Sequence, residues 1–378
     1  MRIGFVSTYP PIECGIGTYT SYLNKELRRQ NNETFVVSQV GASGKNVFPI
    51  YWPESISLAS QVFNLSAKMT PDIVHIQHEF GLYGSQLGVQ VIELILRYEL
   101  SGVPVVTTLH TVYEDAISQK KIILRLIISE SSAVIVHEDY QKEILLNNFG
   151  QEYKDKIHVI HHGVRRVSII RDAKAKLELT GKKIILLCGY FRPTKGFHRI
   201  VTIFPRICEK SPETVLLIAG KSRGLEFMDY QREFFESINT SPVCDKIIVL
   251  RGQFPQKTFD TILSSSDVVV IPYESSGPSG ILAQCYAFHK PVVTTDLLPF
   301  RKSIERSKGG FIAGSDQEFV ESIVKIINND KLRQQFINNI RNYVKKDVGW
   351  DHVAKFHINV YQSVVRVPYG MAKHVFWE

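Results

Sequence analysis

The chain has 378 residues, with 45 Lys and Arg against 37 Asp and Glu, which leaves a formal net charge of +8. Hydrophobic residues make up 44% and charged residues 22%, a globular composition that excludes wholesale disorder, collagen repeats and low complexity. The length exceeds what one core usually supports, so two domains are expected. The basic balance suits nucleic acid, an anionic membrane surface or a phosphorylated substrate. Cysteines stand at 14, 188, 208, 244 and 285, with no C-x-x-C pair. That pattern argues against a disulfide framework or zinc ribbon and fits a reducing cytosol. The opening MRIGFVSTYPP lacks the apolar region of a signal peptide, and no stretch approaches the ~18 apolar residues of a membrane span. A cytoplasmic protein is the expectation.

Short β-branched runs alternate with helical patterns along the chain. In the first half they are Ile3–Ser7, Thr34–Val40, Asp72–Gln77, Val103–Leu109, Ala133–His137 and Ile157–Ile160. In the second half they are Lys183–Cys188, Thr214–Ala219, Lys246–Leu250, Val268–Pro272, Val292–Thr295 and Gly310–Ala313. Most are continuously apolar, which marks strands buried on both faces of parallel sheets. Six strands and then six more, separated by helices, predict an α/β protein of two Rossmann-like, doubly wound domains. The basic stretch 163–180 has no core run and reads as the linker. The cleft between the domains is then the default ligand site. Trp350–Val367 carries the spacing of a helix face.

In the first half, the turn after the first strand reads TYPPIECGIGTYTSYL. Gly15 and Gly17 let backbone approach a ligand at a helix start. A dinucleotide fingerprint is not expected, because about eight residues intervene and the second strand ends without an acid. The third strand runs into Gln77, His78 and Glu79, and the fourth into His110. His75, His78, His137 and His158 read as structural histidines. His110, at a strand exit, reads as functional. His161 and His162 are adjacent; on a strand they face opposite sides, so one ion would not bind both.

In the second half, GYFRPTKGFHRI places Arg192, Lys195 and Gly196 between a strand and a helix, a cation pair suited to a diphosphate. After the tenth strand, Tyr273 and Glu274 precede Gly277, Pro278 and Ser279, with a helix expected from about Gly280. Ser279 is the natural N-cap, and the helix start is an anion site. Glu274 beside it is placed to accept hydrogen bonds from sugar hydroxyls.

In this order the motifs resemble the retaining GT-B glycosyltransferases of family 4, over nearly the whole chain. The resemblance covers Gly15 and Gly17, His110, the VIHHGV stretch, the Gly189-to-Gly196 loop and the Leu216–Gly220 strand end. It extends to Arg251–Pro255 with Phe254, Asp267–Pro272 and Trp350. It implies diphosphate binding by Lys195 and a donor-sugar position near His110. It implies donor contacts at Gly189, Gly220, Phe254, Gly277, Ser279, Gly280 and Ile281. Two departures stand out. The family has Arg directly after the first glycine of its basic loop, where this chain has Tyr190; Arg192 is expected to substitute. The family's second Glu corresponds to Gln284, at a spacing two residues longer. The resemblance gives Glu274 a donor-sugar role and Gln284 a ribose role.

The expected architecture is therefore residues 1–164 as an acceptor-binding domain, 165–349 as a nucleotide-sugar-binding domain, and 350–378 as a helical segment crossing back to the first. The expected activity is transfer of a hexosyl group, with retention, from a nucleotide sugar to a saccharide or lipid-linked acceptor. Lys195, Arg192, His110 and Glu274 are its catalytic candidates, and neither metal nor cofactor is required. Two alternatives are a binding or scaffold protein on the same fold, which Gln284 suggests, and a nucleotide-dependent oxidoreductase or epimerase. Nucleic acid is not expected as a partner, because the basic residues are not interleaved with aromatics. Ala116–Ile128 is basic and apolar at helical spacing. It reads as an ordinary surface helix or as a peripheral contact with anionic lipid.

Overall fold

A computed structural model of the chain describes residues 1–114, 116–222, 227–275 and 280–365. The chain divides into two units: Met1–Gly163 together with the chain from Val348 on, and Val164–Asp347.

The first unit is built on a seven-stranded sheet: β1 (Arg2–Val6), β2 (Glu33–Gln39), β3 (Val47–Tyr51), β4 (Ile73–His78), β5 (Val105–Leu109), β6 (Ala133–Val136) and β7 (Ile157–Val159). All pairings are parallel, in the order β3-β2-β1-β4-β5-β6-β7. The second unit has β8 (Lys183–Tyr190), β9 (Thr214–Lys221), β10 (Ile247–Arg251), β11 (Val268–Ile271), β12 (Val292–Thr295) and β13 (Gly310–Ala313). These are also parallel, in the order β10-β9-β8-β11-β12-β13.

Both orders reverse once, between β1 and β4 and between β8 and β11. A reversal sends the flanking connections to opposite faces and opens a crevice at the carboxyl ends of those two strands. The continuous apolar runs behave as expected: all six residues of β4 and seven of the eight in β9 are buried.

The seventh strand corrects the expectation of six in the first unit. β3, VFPIY, carries Pro49 and only one buried residue, Tyr51. It is an edge strand, where a missing N–H is tolerated and an apolar run is not needed. His161 and His162 also differ from expectation, since they lie beyond the end of β7 and not on it.

The helix Trp350–Val364 packs in the first unit against the helix Gly15–Arg29. Trp350 is its anchor. The indole is edge-on to Tyr19, with ring centroids 5.0 Å apart, and lies so close to Gly163 that a Cβ there would sit 2.4 Å from the ring. The indole N–H is buried and makes no hydrogen bond among the described residues. Truncation therefore removes packing alone. Trp350→Ala should lower stability by about 3–5 kcal/mol, read from urea unfolding, while Trp350→Phe costs clearly less. Equal losses in the two variants would mean that ring packing is not what holds this helix.

Candidate functional site

In the second unit the loops after β8 and β11 close on each other at the switch point. Gly196, at φ 62°, lies so near β11's exit that a Cβ would sit 2.0 Å from the Pro272 carbonyl oxygen. No other residue type fits there. The Glu274 N–H donates to the Thr194 carbonyl at 3.0 Å, fastening the two loops. Beside them β8 and β9 run equally tight, with Gly220's missing Cβ position 2.3 Å from the Gly189 carbonyl oxygen.

This closure fixes Lys195 with its Nζ 3.5 Å from the centroid of the buried Tyr273 ring. Burial first, and the neighbouring Arg192 second, lower the Lys195 ammonium to about 8. The Arg192 guanidinium lies 5.6 Å over the Tyr190 ring, and its buried Nε makes no hydrogen bond among the described residues. Lys221 ends β9 and Arg251 ends β10 at the same edge. Charged groups are seldom buried without a counterion. Two cations pressed together without a carboxylate between them make a place for an anion.

The other donor-side candidates fall around this centre. Glu274 is half-exposed and stands 3.4 Å from His198 Nε2. His198 Nδ1 in turn meets the Tyr230 hydroxyl at 3.3 Å. Gly280 opens the helix Gly280–Ala287, and a Cβ on it would meet nothing within 4 Å. Ile281 and Gln284 follow, half-buried, on that helix, and Phe254 is half-buried in the loop after β10. Gly277 and Ser279 lie outside the described residues.

At the switch point of the first unit, Gly17 lies where a Cβ would stand 3.1 Å from the Tyr9 nitrogen, while a Cβ on Gly15 would meet nothing within 4 Å. His110 leaves β5 there. Both its ring nitrogens are engaged: Nδ1 with His137 Nε2 at 3.2 Å, and Nε2 with Gln77 Oε1 at 2.8 Å. Gln77 Nε2 continues to His75 at 3.1 Å, and His75 Nδ1 to the Tyr361 hydroxyl at 2.7 Å. His137 Nδ1 reaches the Ile160 carbonyl, and His357 reaches the Tyr19 hydroxyl. Tyr19 sits among the rings of His110, His137 and His162. His75 and His137 are buried in the same network and hold His110 in it. His78 is buried with neither ring nitrogen bonded among the described residues.

Comparison with known proteins fits this geometry. Residues 14–166 match the model of Glycosyltransferase Family 4, and residues 169–343 that of Glycosyl transferases group 1. Together the two models span nearly the whole chain. The chain belongs to the group 1, family 4 glycosyltransferases. Among the glycosyltransferase's relatives, the phosphatidyl-myo-inositol mannosyltransferase of Mycolicibacterium smegmatis is 22% identical over 96% of this chain and 94% of its own. The Bacillus subtilis protein YtcC is 23% identical over 68% of this chain and 67% of its own. Matches with two further relatives span 62% and 52% of their lengths. The Anabaena protein HepE, solved in complex with UDP, superposes with a TM-score of 0.75 at 15% identity, over 96% of this chain and all of that one. The architecture is the GT-B fold.

The glycosyltransferase also contains groups that sequence reasoning passed over. Arg165, read as part of the basic linker 163–180, is 10% exposed and forks onto Asp260. His198 was unremarkable in sequence, although its place in the first turn of the helix Phe197–Lys210 brings it to Glu274. The basic, apolar segment Ala116–Ile128 contributes to the helix Ser118–Glu130, which buries Ile123, Leu124, Ile127 and Ile128 in the core. Lys120 lies over the Tyr113 and Phe80 rings, and Ile117 and Ile122 stay exposed. Among the described residues no helix is long and apolar enough to cross a membrane.

The glycosyltransferase's buried histidines set its acid stability. Burial holds His78 and His137 down at about 3 and His357 at about 4, and lowers His75, His110 and His162. Unfolded histidines titrate near ~6.5, so below that pH the unfolded chain binds protons that the folded one refuses. Stability must then fall with pH from about 6.5 toward 4, by up to ~1.4 kcal/mol per pH unit for each of these rings. Urea midpoints should be level from pH 8 to 7 and drop steeply between 6.5 and 5. A level profile down to pH 5 would show that these rings are not held neutral.

Proposed function

We propose that this glycosyltransferase transfers a hexosyl group, with retention, from a nucleotide sugar to a saccharide or lipid-linked saccharide. The observation that carries the donor half is the Lys195/Arg192 pair at the β8–β11 switch point, with the Lys195 ammonium lowered by burial and no carboxylate partner for either cation among the described residues. A diphosphate is the anion of matching charge and reach. HepE has been solved with UDP and with UDP-glucose, which supports a nucleotide sugar as donor. The donor is assigned to the second unit and the acceptor to the first.

In this reading the bond from the anomeric carbon to the β-phosphate oxygen breaks through an oxocarbenium-like state. Negative charge grows on the leaving phosphate, and stabilising it is the main catalytic task. Lys195 and Arg192 meet that charge directly, the role a divalent ion would otherwise take, so the reaction is read as needing none. The acceptor hydroxyl adds to the same face and gives its proton to the departing phosphate oxygen. Neither proton transfer nor bond formation calls for a protein nucleophile. Glu274, oriented by His198, accepts hydrogen bonds from donor-sugar hydroxyls, and Gln284 contacts the ribose. His110, held by His137 and Gln77, lines the first unit's crevice on the donor-sugar side. The Ile117 and Ile122 side chains beside Lys121 are the proposed peripheral contact for an anionic lipid surface, which would hold a cytoplasmic enzyme at the membrane.

Lys195→Ala should lose transfer by roughly a hundredfold or more while its melting temperature stays near that of the parent. The check is sugar release or transfer with UDP-glucose, GDP-mannose and UDP-N-acetylglucosamine, in buffer containing EDTA. Transfer near the parent rate in a folded Lys195→Ala protein would refute the assignment.

A further inference from the structure

Arg165 stands at the start of the second unit and is joined to two helices. Its terminal nitrogens fork onto Asp260, on the helix Gln256–Ser265 that follows β10. Its Nε donates to Gln284 Oε1 at 2.7 Å, on the helix Gly280–Ala287 that follows β11. The guanidinium also lies over the Phe288 ring, 5.2 Å from its centroid. Asp260 receives a further hydrogen bond from Gln256 at 2.7 Å. A buried, bidentate arginine pair is rigid in a way a surface pair is not.

A guanidinium has only donors, so the atom of Gln284 that faces it must be the carbonyl oxygen. The amide orientation is thereby fixed by chemistry. The NH2 end is turned away from Arg165 and makes no hydrogen bond among the described residues. A carboxylate at 284 would keep the bond to Arg165 and turn a second acceptor outward. This chain turns a donor outward instead.

We propose that Arg165, braced by Asp260, is a positioning residue that fixes the Gln284 amide so that its NH2 donates to a ribose hydroxyl oxygen of the donor nucleotide. The inference rests on the nucleotide-sugar reading above and adds the residue that sets the ribose contact. It also explains how a neutral glutamine serves where an acid is usual. Hydroxyl oxygens accept as readily as their hydrogens donate, so reversing the polarity keeps the contact.

The test is calorimetric titration of the full chain with UDP, GDP and ADP, and with the 2′,3′-dideoxy form of each. The parent should prefer the best-bound ribonucleotide over its dideoxy form by about fivefold or more, the measure of one neutral hydrogen bond. Arg165→Ala should bring that preference below about twofold and leave the dideoxy form bound as in the parent. Gln284→Ala should do the same, and the double variant should add less than about twofold, since both act on one contact. If Arg165→Ala does not fold at the assay temperature, Asp260→Asn loosens the same fork and should reduce the preference likewise. Equal weakening of ribo and dideoxy forms would overturn the proposal and leave Arg165 a structural brace. A preference intact in Arg165→Ala but lost in Gln284→Ala would also overturn it, as would a parent without preference. A parent that binds none of the three diphosphates fails earlier, at the nucleotide-sugar reading itself.

Discussion

The second unit depends on one contact between backbones, Gly196 against the carbonyl of Pro272. It closes the loop after β8 onto the loop after β11 at the point where strand order reverses. The closure presses Lys195 onto the Tyr273 ring and beside Arg192, where neither cation meets a carboxylate. Holding like charges together costs free energy that folding elsewhere must offset. Strain of this electrostatic kind is kept where a ligand relieves it. Part of the net charge of +8 is thus local, in Arg192 and Lys195 after β8 and in Lys221 and Arg251 at the ends of β9 and β10.

The first unit solves a different problem with similar topology. Its switch point is walled by buried histidines that hydrogen-bond one another directly and through Gln77, around the buried Tyr19 ring. The helix Trp350–Val364 supplies His357 and Tyr361 to this network, so the end of the described chain completes the core of its beginning. Hydrogen-bonded rings wall the first unit's crevice, whereas cations edge the second's.

Much of this was legible in the sequence because parallel strands buried on both faces leave unbroken apolar runs. Twelve of the thirteen strands announce themselves that way. β3 does not, because an edge strand with Pro49 needs no such run. Gly196 and Lys195 were legible as a motif, since close backbone approach and diphosphate binding each restrict residue choice. Arg165 was not. Its partners Asp260 and Gln284 lie about a hundred residues on, and a basic linker reads as surface until the fold brings them together. His198 beside Glu274 and the histidine chain are likewise products of tertiary proximity, with no signature in spacing.

The most direct measurement of the central claim is the titration of the Lys195 ammonium by NMR on isotopically labelled lysine, assigned with Lys195→Arg, without and with saturating UDP or GDP. The account predicts half-protonation near pH 8 in the free enzyme and a rise toward the ordinary lysine value of ~10.4 once a diphosphate neutralises the pair. A lysine that titrates in the ordinary range when free, or one that bound diphosphate leaves unmoved, would contradict it.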